Sequence, residues 1–221
     1  MHKFNYVCSV ILAVLLPLMI VILSSNLILR ISETYVYHFN DSQVISEIPY
    51  NVTGSEMADE ISSYWTSFSG KPFQVYEKNG SYRDPIFEET EQQIMGKAKS
   101  ILNIELAAGL FSLAIIIAIY VYLWKNDFRE ALRNRYYTGA GLTVVLLIVQ
   151  GVCWSIKSFR LWAYQFFIGI DLPQETDTLL TLLGDPFFKT YILFASVFGA
   201  AVLAILTYIN YKLTKPSRIF Y

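Results

Sequence analysis

Charge is scarce in this sequence. Lys, Arg, Asp and Glu together make up 16% of its 221 residues, against about 25% in an ordinary soluble domain. That shortage excludes a disordered chain and argues against an ordinary soluble enzyme. No excess of one sign exists either. Lys and Arg number 17 against 18 Asp and Glu, so a nucleic-acid partner is not expected. Histidine is nearly absent, with only His2 and His38. A His-rich metal centre is excluded, and proton chemistry must fall to His38 or to carboxylates, Lys and Tyr. The two cysteines, Cys8 and Cys153, both lie in apolar runs. They offer neither a disulfide framework nor a zinc site. Gly151 and Gly184 stand alone and build no phosphate loop. No metal, nucleotide or haem cofactor is expected.

What the chain has in quantity is apolar length, with 54% hydrophobic residues. A membrane-crossing helix needs about 20 mostly apolar residues. Four stretches qualify, at about 6–29, 106–124, 142–156 and 191–211. The first is too long for the apolar region of a signal peptide and is followed by no small-residue cleavage site, so it reads as a retained helix. Pro17 near its middle should kink it. Lys3, then Lys125, Arg129, Arg133 and Arg135, then Lys212, Lys215 and Arg218 all flank these stretches on one side. Basic residues in short loops mark the cytoplasmic face, which puts both termini inside. Small residues recur at Ala107, Ala108 and Gly109, and at Ala195, Gly199, Ala200 and Ala204. They allow close helix approach, either within one bundle or across a dimer face.

The expected fold is an α-helical membrane protein, a four-helix transmembrane bundle capped by a small α+β extracytoplasmic domain. Its parts are a first transmembrane helix over 1–29, the cap over 30–102 and a second helix over 103–125. A cytoplasmic loop over 126–138 and a third helix over 139–157 follow. An outer aromatic segment over 158–189, a fourth helix over 190–212 and a cytoplasmic tail over 213–221 complete the chain.

Within the cap, the aromatic, β-prone run 34–40 reads as a strand. Residues 52–68 read as a helix, capped by Thr53 or Ser55 and started by Glu56, Asp59 and Glu60. Met57, Ile61, Tyr64, Trp65 and Phe68 mark its apolar face, and Gly70 is a plausible stop. Asn79-Gly80 between β-prone flanks predicts a hairpin. Residues 87–102 read as a helix that runs into the second span. Three N-x-S/T triplets begin at Asn40, Asn51 and Asn79, and are glycan acceptors only in a eukaryotic secretory setting.

The stretch 158–190 is too polar to span yet dense in Trp162, Tyr164, Phe166, Phe167, Phe187 and Phe188. Such a segment suits the membrane interface, where it either contacts a lipid or only anchors the bundle. Pro173 and Gly184 bracket a short helix over 174–183. Glu105 sits at the outer edge of the second span, and an ionisable residue near membrane depth is a functional candidate. Pairing with Lys99 or Lys157 is the plainer role for it.

This layout resembles the bacterial four-helix integral membrane family that includes lipoprotein intramolecular transacylase. Two stretches carry the resemblance. Phe87, Glu89, Glu91, Met95 and Lys99 are similar to the family pattern F-x-E-x-E-x-x-H-M-x-D-V-K, with Ile94 in the histidine place and Lys97 in the aspartate place. Phe166-Phe167, Pro173, Asp177, Leu179-Leu180 and Phe187-Phe188 are similar to its second pattern, with Ala163 in the histidine place. The resemblance implies an enzyme that moves the sn-2 acyl chain of a lipoprotein's diacylglyceryl-cysteine to that cysteine's α-amine. The amine must lose a proton to attack and the leaving alkoxide must gain one, which suits a group of pKa near 7. Ile94 and Ala163 can do neither. Glu91, Asp177, Glu105 or His38 would have to substitute.

Three functions follow. One is a lipid- or lipoprotein-binding protein of this fold without the usual chemistry, alone or with a membrane protein partner. A second is an active acyltransferase that works through carboxylates or His38. A third is a structural or complex-assembly membrane protein. Transport is disfavoured, since the spans hold few charges and show no repeat.

Overall fold

The computed structural model describes residues 2–79, 82–168 and 178–215, with the side chains of 2, 3, 78, 79, 82, 83, 164, 166–168 and 185 left aside. Helix α1 covers His2–Ile28, α2 Ser32–Ser42 and α3 Gly54–Thr66, with one 3-10 turn at Val44–Ser46. Strands β1 (Tyr76–Asn79) and β2 (Tyr82–Pro85) come next. Helices α4 (Glu89–Lys125), α5 (Arg129–Ser155), α6 (Lys157–Ile168), α7 (Thr178–Leu183) and α8 (Asp185–Thr214) complete the order. Four of the helical stretches are long and apolar enough to cross a membrane. The protein is thus a mostly helical membrane protein with one small antiparallel sheet.

Two compact units share the chain. Unit 1 holds Met1–Ser24, Glu105–Val149 and Ser196–Tyr221, and unit 2 holds Ser25–Ile104 and Gln150–Ala195. Unit 1 is the apolar bundle. Leu12, Leu16, Met19 and Ile20 of α1 are buried with Ile116, Ile119 and Leu123 of α4, Leu132 and Tyr136 of α5 and Leu203 of α8. Two tyrosine hydroxyls bond asparagine side chains inside it. Tyr120 donates to Asn210 Oδ1 at 2.8 Å, and Tyr122 donates to Asn5 Oδ1 at 3.0 Å. Gly139 of α5 lies so close to α1 that a Cβ there would sit 3.1 Å from the Ala13 carbonyl oxygen and 3.1 Å from Leu16 Cδ2. The small residues of the second and fourth spans act in the same way. Gly109 packs against Leu23, and a Cβ on Gly199 would lie 3.1 Å from Leu147 Cδ2 and 3.3 Å from Ser24 Oγ.

Unit 2 forms around α2 and α3. The expected strand over 34–40 is a helix instead. Its buried residues, Thr34, Tyr35, His38 and Phe39, recur with helical spacing. Packing on α3 overrides the β preference of the aromatic side chains. Gln43 ends α2 in the left-handed region at φ 55°, and its N–H donates to the Phe39 carbonyl at 3.0 Å. The helix expected over 52–68 forms over Gly54–Thr66, with Thr53 as its cap. Glu56 N–H donates to Thr53 Oγ1 at 3.2 Å and Thr53 N–H donates to Glu56 Oε2 at 3.3 Å, a reciprocal capping box. The helix closes at Ser67, before Gly70. Met57, Ile61 and Trp65 are buried, while Phe68 beyond the helix is exposed. Each buried large apolar side chain contributes about 2 kcal/mol of transfer free energy.

The hairpin expected at Asn79-Gly80 is present as β1 and β2, but Asn79 pairs with Tyr82 inside the ladder and Gly80 lies outside the described residues. The helix after it does run without a break into the second span as α4. Glu89 and Glu91 in its first turn and Lys125 in its last complement the helix dipole. The third apolar helix begins earlier than hydropathy suggests, at Arg129. Leu132, Tyr136 and Gly139 are buried at helical spacing, so its first turns are amphipathic rather than a loop. Asp127, at φ 60°, turns the chain between α4 and α5. Helix α1 continues through Pro17.

Candidate functional site

Unit 2 brings two of the four candidate catalytic residues to the same short helix. His38 lies on the buried face of α2 and is 1% exposed. Its Nε2 is 3.1 Å from the carbonyl oxygen of Leu182, at the end of α7. A carbonyl can only accept, so Nε2 carries the hydrogen and donates it. In the neutral ring Nδ1 is then the acceptor, and among the described residues it has no hydrogen-bond partner. Burial pushes the His38 imidazole below its usual range, opposed by the Leu182 bond and by Asp41.

Glu91 sits in the first turn of α4 and is 2% exposed. Its Oε2 accepts the Glu88 N–H at 2.8 Å, which caps α4. Its Oε1 accepts the Leu179 N–H at 2.6 Å, in the first turn of α7. Helix α7 is therefore tied at its start by Glu91 and at its end by His38. Its own Leu179 and Leu182 side chains are buried.

An aromatic stack adjoins this tie. Phe187 lies parallel to Tyr35, with ring centroids 5.2 Å apart and planes at 6°, and meets the His38 ring edge-on at 5.4 Å. Tyr191 continues the stack, 6.2 Å beyond Phe187. Tyr35 is fully buried and donates its hydroxyl to the Leu29 carbonyl at 2.7 Å. Burial pushes its phenol well up, so it remains neutral. Phe188 stacks on Trp154 at 5.2 Å with planes at 4°.

The other expected site residues are spread more widely. Glu105 is half-buried and belongs to unit 1. In unit 2, the Lys99 ammonium donates to Ser67 Oγ at 2.9 Å and to the Ser69 carbonyl at 3.1 Å, and lies 4.1 Å over the Tyr64 ring. Asp177 and Pro173 lie outside the described residues. Trp162 is exposed on α6, whereas the side chains of Tyr164, Phe166 and Phe167 on the same helix are outside the described part. Phe187 is buried and Phe188 half-buried. Ile94 and Ala163, in the two histidine places of the resemblance, are both buried.

Sequence reasoning missed three side chains here, Arg160 and Tyr35 buried and Arg30 half-buried. Arg160 is 4% exposed and donates to the Trp154 carbonyl at 2.7 Å. Arg30 donates to Asn26 Oδ1 and Asn103 Oδ1, each at 2.9 Å, and to the Trp65 carbonyl. Tyr35 completes the three. A lone arginine next to a long apolar run was the available signal for Arg30, and a lone arginine among aromatics for Arg160.

These features define a polytopic membrane protein with four apolar helices and a small α+β unit inserted after the first. Solved structures share that fold. The chain superposes on the membrane integral lipoprotein intramolecular transacylase Lit from Bacillus cereus with a TM-score of 0.75 at 14% identity, covering 97% of each chain. A variant of that protein with a histidine replaced by arginine gives 0.73 at 14% identity over 97% of this chain and 93% of that one. A histidine-to-alanine variant gives 0.75 at 12% identity over 97% and 95%. No family model and no curated protein matches the sequence.

Proposed function

We propose that this protein binds a lipid or a lipoprotein acyl chain at the outer leaflet, on a transacylase-type fold, without the histidine-based transfer chemistry. The observation that carries the proposal is the double tie of α7. Both Glu91 oxygens accept backbone N–H groups, and His38 Nε2 is held by Leu182. These groups position a helix rather than face a reacting centre. Ile94 and Ala163, which carry no proton, occupy the places where the resemblance expects histidine. The aromatic side chains Trp162, Tyr164, Phe166, Phe167, Phe187 and Phe188 are the proposed acyl-chain contacts. Both termini face the cytoplasm and the inserted segment faces outward, in keeping with the basic residues that flank the helices. A lipoprotein or a membrane protein is the partner.

A second reading retains the transfer. His38 is buried and pushed towards the neutral form, with Nδ1 as its acceptor. It would take the proton from the attacking α-amine as the N–C bond forms. It would return that proton to the alkoxide released when the ester C–O bond breaks.

One experiment separates the two. The protein is expressed in a lipoprotein-producing host that lacks the transacylase, and the N-terminus of a reporter lipoprotein is read by mass spectrometry. An unchanged diacylglyceryl form, with the protein folded in the membrane and the reporter co-purifying, agrees with binding alone. A lyso-form with an N-acyl chain would sink that reading and favour the second, provided His38→Gln abolishes the product.

A further inference from the structure

Unit 1 contains a cleft that none of the chemistry above uses. It has a volume of about 400 Å³ and is lined by Asn5, Tyr6 and Ser9 of α1, Phe128 ahead of α5, and Ala131, Asn134, Arg135 and Thr138 of α5. The two helices touch one to two turns further along, where Gly139 meets Ala13. Residues 131, 134, 135 and 138 share one helical face, as do 5 and 9.

The lining is rich in donors. Arg135 is its one charged residue, and no carboxylate contributes. The Arg135 guanidinium lies 5.1 Å over the Tyr6 ring, and among the described residues it makes no hydrogen bond or ion pair. Asn5 is 4% exposed. Its oxygen accepts from Tyr122, yet its Nδ2 has no partner among the described residues. A buried amide with unused donors is costly unless something accepts from it. Asn134 adds another amide at the exposed side, while the Ser9 and Thr138 hydroxyls donate to the Tyr6 and Asn134 carbonyls at 2.8 and 3.1 Å. An arginine and unused amide hydrogens fit an anion with several acceptor oxygens. The Tyr6, Phe128 and Ala131 surfaces leave an apolar flank beside it.

We propose that this cleft binds a phosphate group, carried by a phospholipid headgroup or present as a free phosphate ester. Arg135 supplies the charge, Asn5 the buried donor, and Tyr6 holds the guanidinium face.

The test is native mass spectrometry and thermal unfolding of the full-length protein in detergent. The probes are phosphatidylglycerol, a phosphate-free diacylglycerol of the same chains, and inorganic phosphate. Phosphatidylglycerol should be retained in preference to the diacylglycerol. Arg135→Gln should weaken retention by about tenfold, as expected for loss of a charge-assisted contact. Arg133→Gln, in the same turn of α5 but not part of the lining, should leave it unchanged. Ala131→Trp, which fills the exposed side of the cleft, should also abolish retention while the protein remains folded. Stabilisation by inorganic phosphate, lost in Arg135→Gln and with no lipid retained, assigns the same site to free phosphate. Equal retention of the diacylglycerol, or an equal loss in Arg133→Gln, overturns the proposal.

Discussion

The Glu91 carboxylate accepts the backbone N–H of Leu179 at 2.6 Å across 88 residues of sequence. That single contact joins the start of α4 to the start of α7. Through it, Glu91 holds a short leucine-rich helix in place.

Glu91→Ala should be destabilising, since it leaves the Leu179 N–H buried without an acceptor and removes the cap on the Glu88 N–H. The expected loss is about 3 kcal/mol, the scale of hydrogen bonds to a charged group. Glu91→Gln keeps one acceptor oxygen and should lose less. Thermal unfolding of both variants in detergent checks the order. If alanine matched the parent, the tie would carry no stability.

His38 makes stability depend on pH. Its folded-state pKa lies below the ordinary imidazole value of about 6.5, because burial disfavours the imidazolium. The unfolded chain therefore binds the proton more readily than the folded one, and stability rises with pH in that range. The contribution is present above about 6.5 and is lost as pH falls through the lowered folded value. His38→Gln preserves a donor to Leu182 and removes the titration. Melting temperature measured from pH 7.5 to 5 should fall more steeply for the parent than for this variant.

Thr53→Ala removes the hydroxyl that caps α3. The expected cost is about 1 kcal/mol, typical of losing an N-cap. Chemical unfolding of the purified protein would reveal it as a lower midpoint with the same slope. An unchanged midpoint would mean that α3 is held by packing alone.

Gly139→Leu should disturb unit 1. Even a Cβ would approach the Ala13 carbonyl oxygen to 3.1 Å, and that backbone atom cannot swing aside. An overpacking cost of about 2 kcal/mol is expected. Gly141→Leu is the control, since nothing lies within 4 Å of a Cβ built there. The ratio of folded protein recovered from membranes for the two variants measures the difference.

The sequence by itself determined the apolar helices. Four long runs with few charges have one low-energy state in lipid, a helix that satisfies its own backbone. A helix cap at Thr53 or Ser55 and the continuous α4 were equally legible, because both rest on contacts between near neighbours in sequence. The resemblance to the transacylase family was readable from two motif stretches, and the structures that share the fold agree with it at 12–14% identity. Residues 34–40 were misread. Their composition favours a strand, and only the burial of Tyr35, His38 and Phe39 within unit 2 makes them a helix. Tertiary structure alone decided the candidate site. His38, Glu91 and Phe187 are brought together by α7, and no local pattern encodes a bond between residues 88 positions apart. The cleft beside Asn5 and Arg135 is of the same kind. It exists because two helices touch at Gly139 and stand apart one to two turns earlier, a consequence of packing that the order of residues does not display.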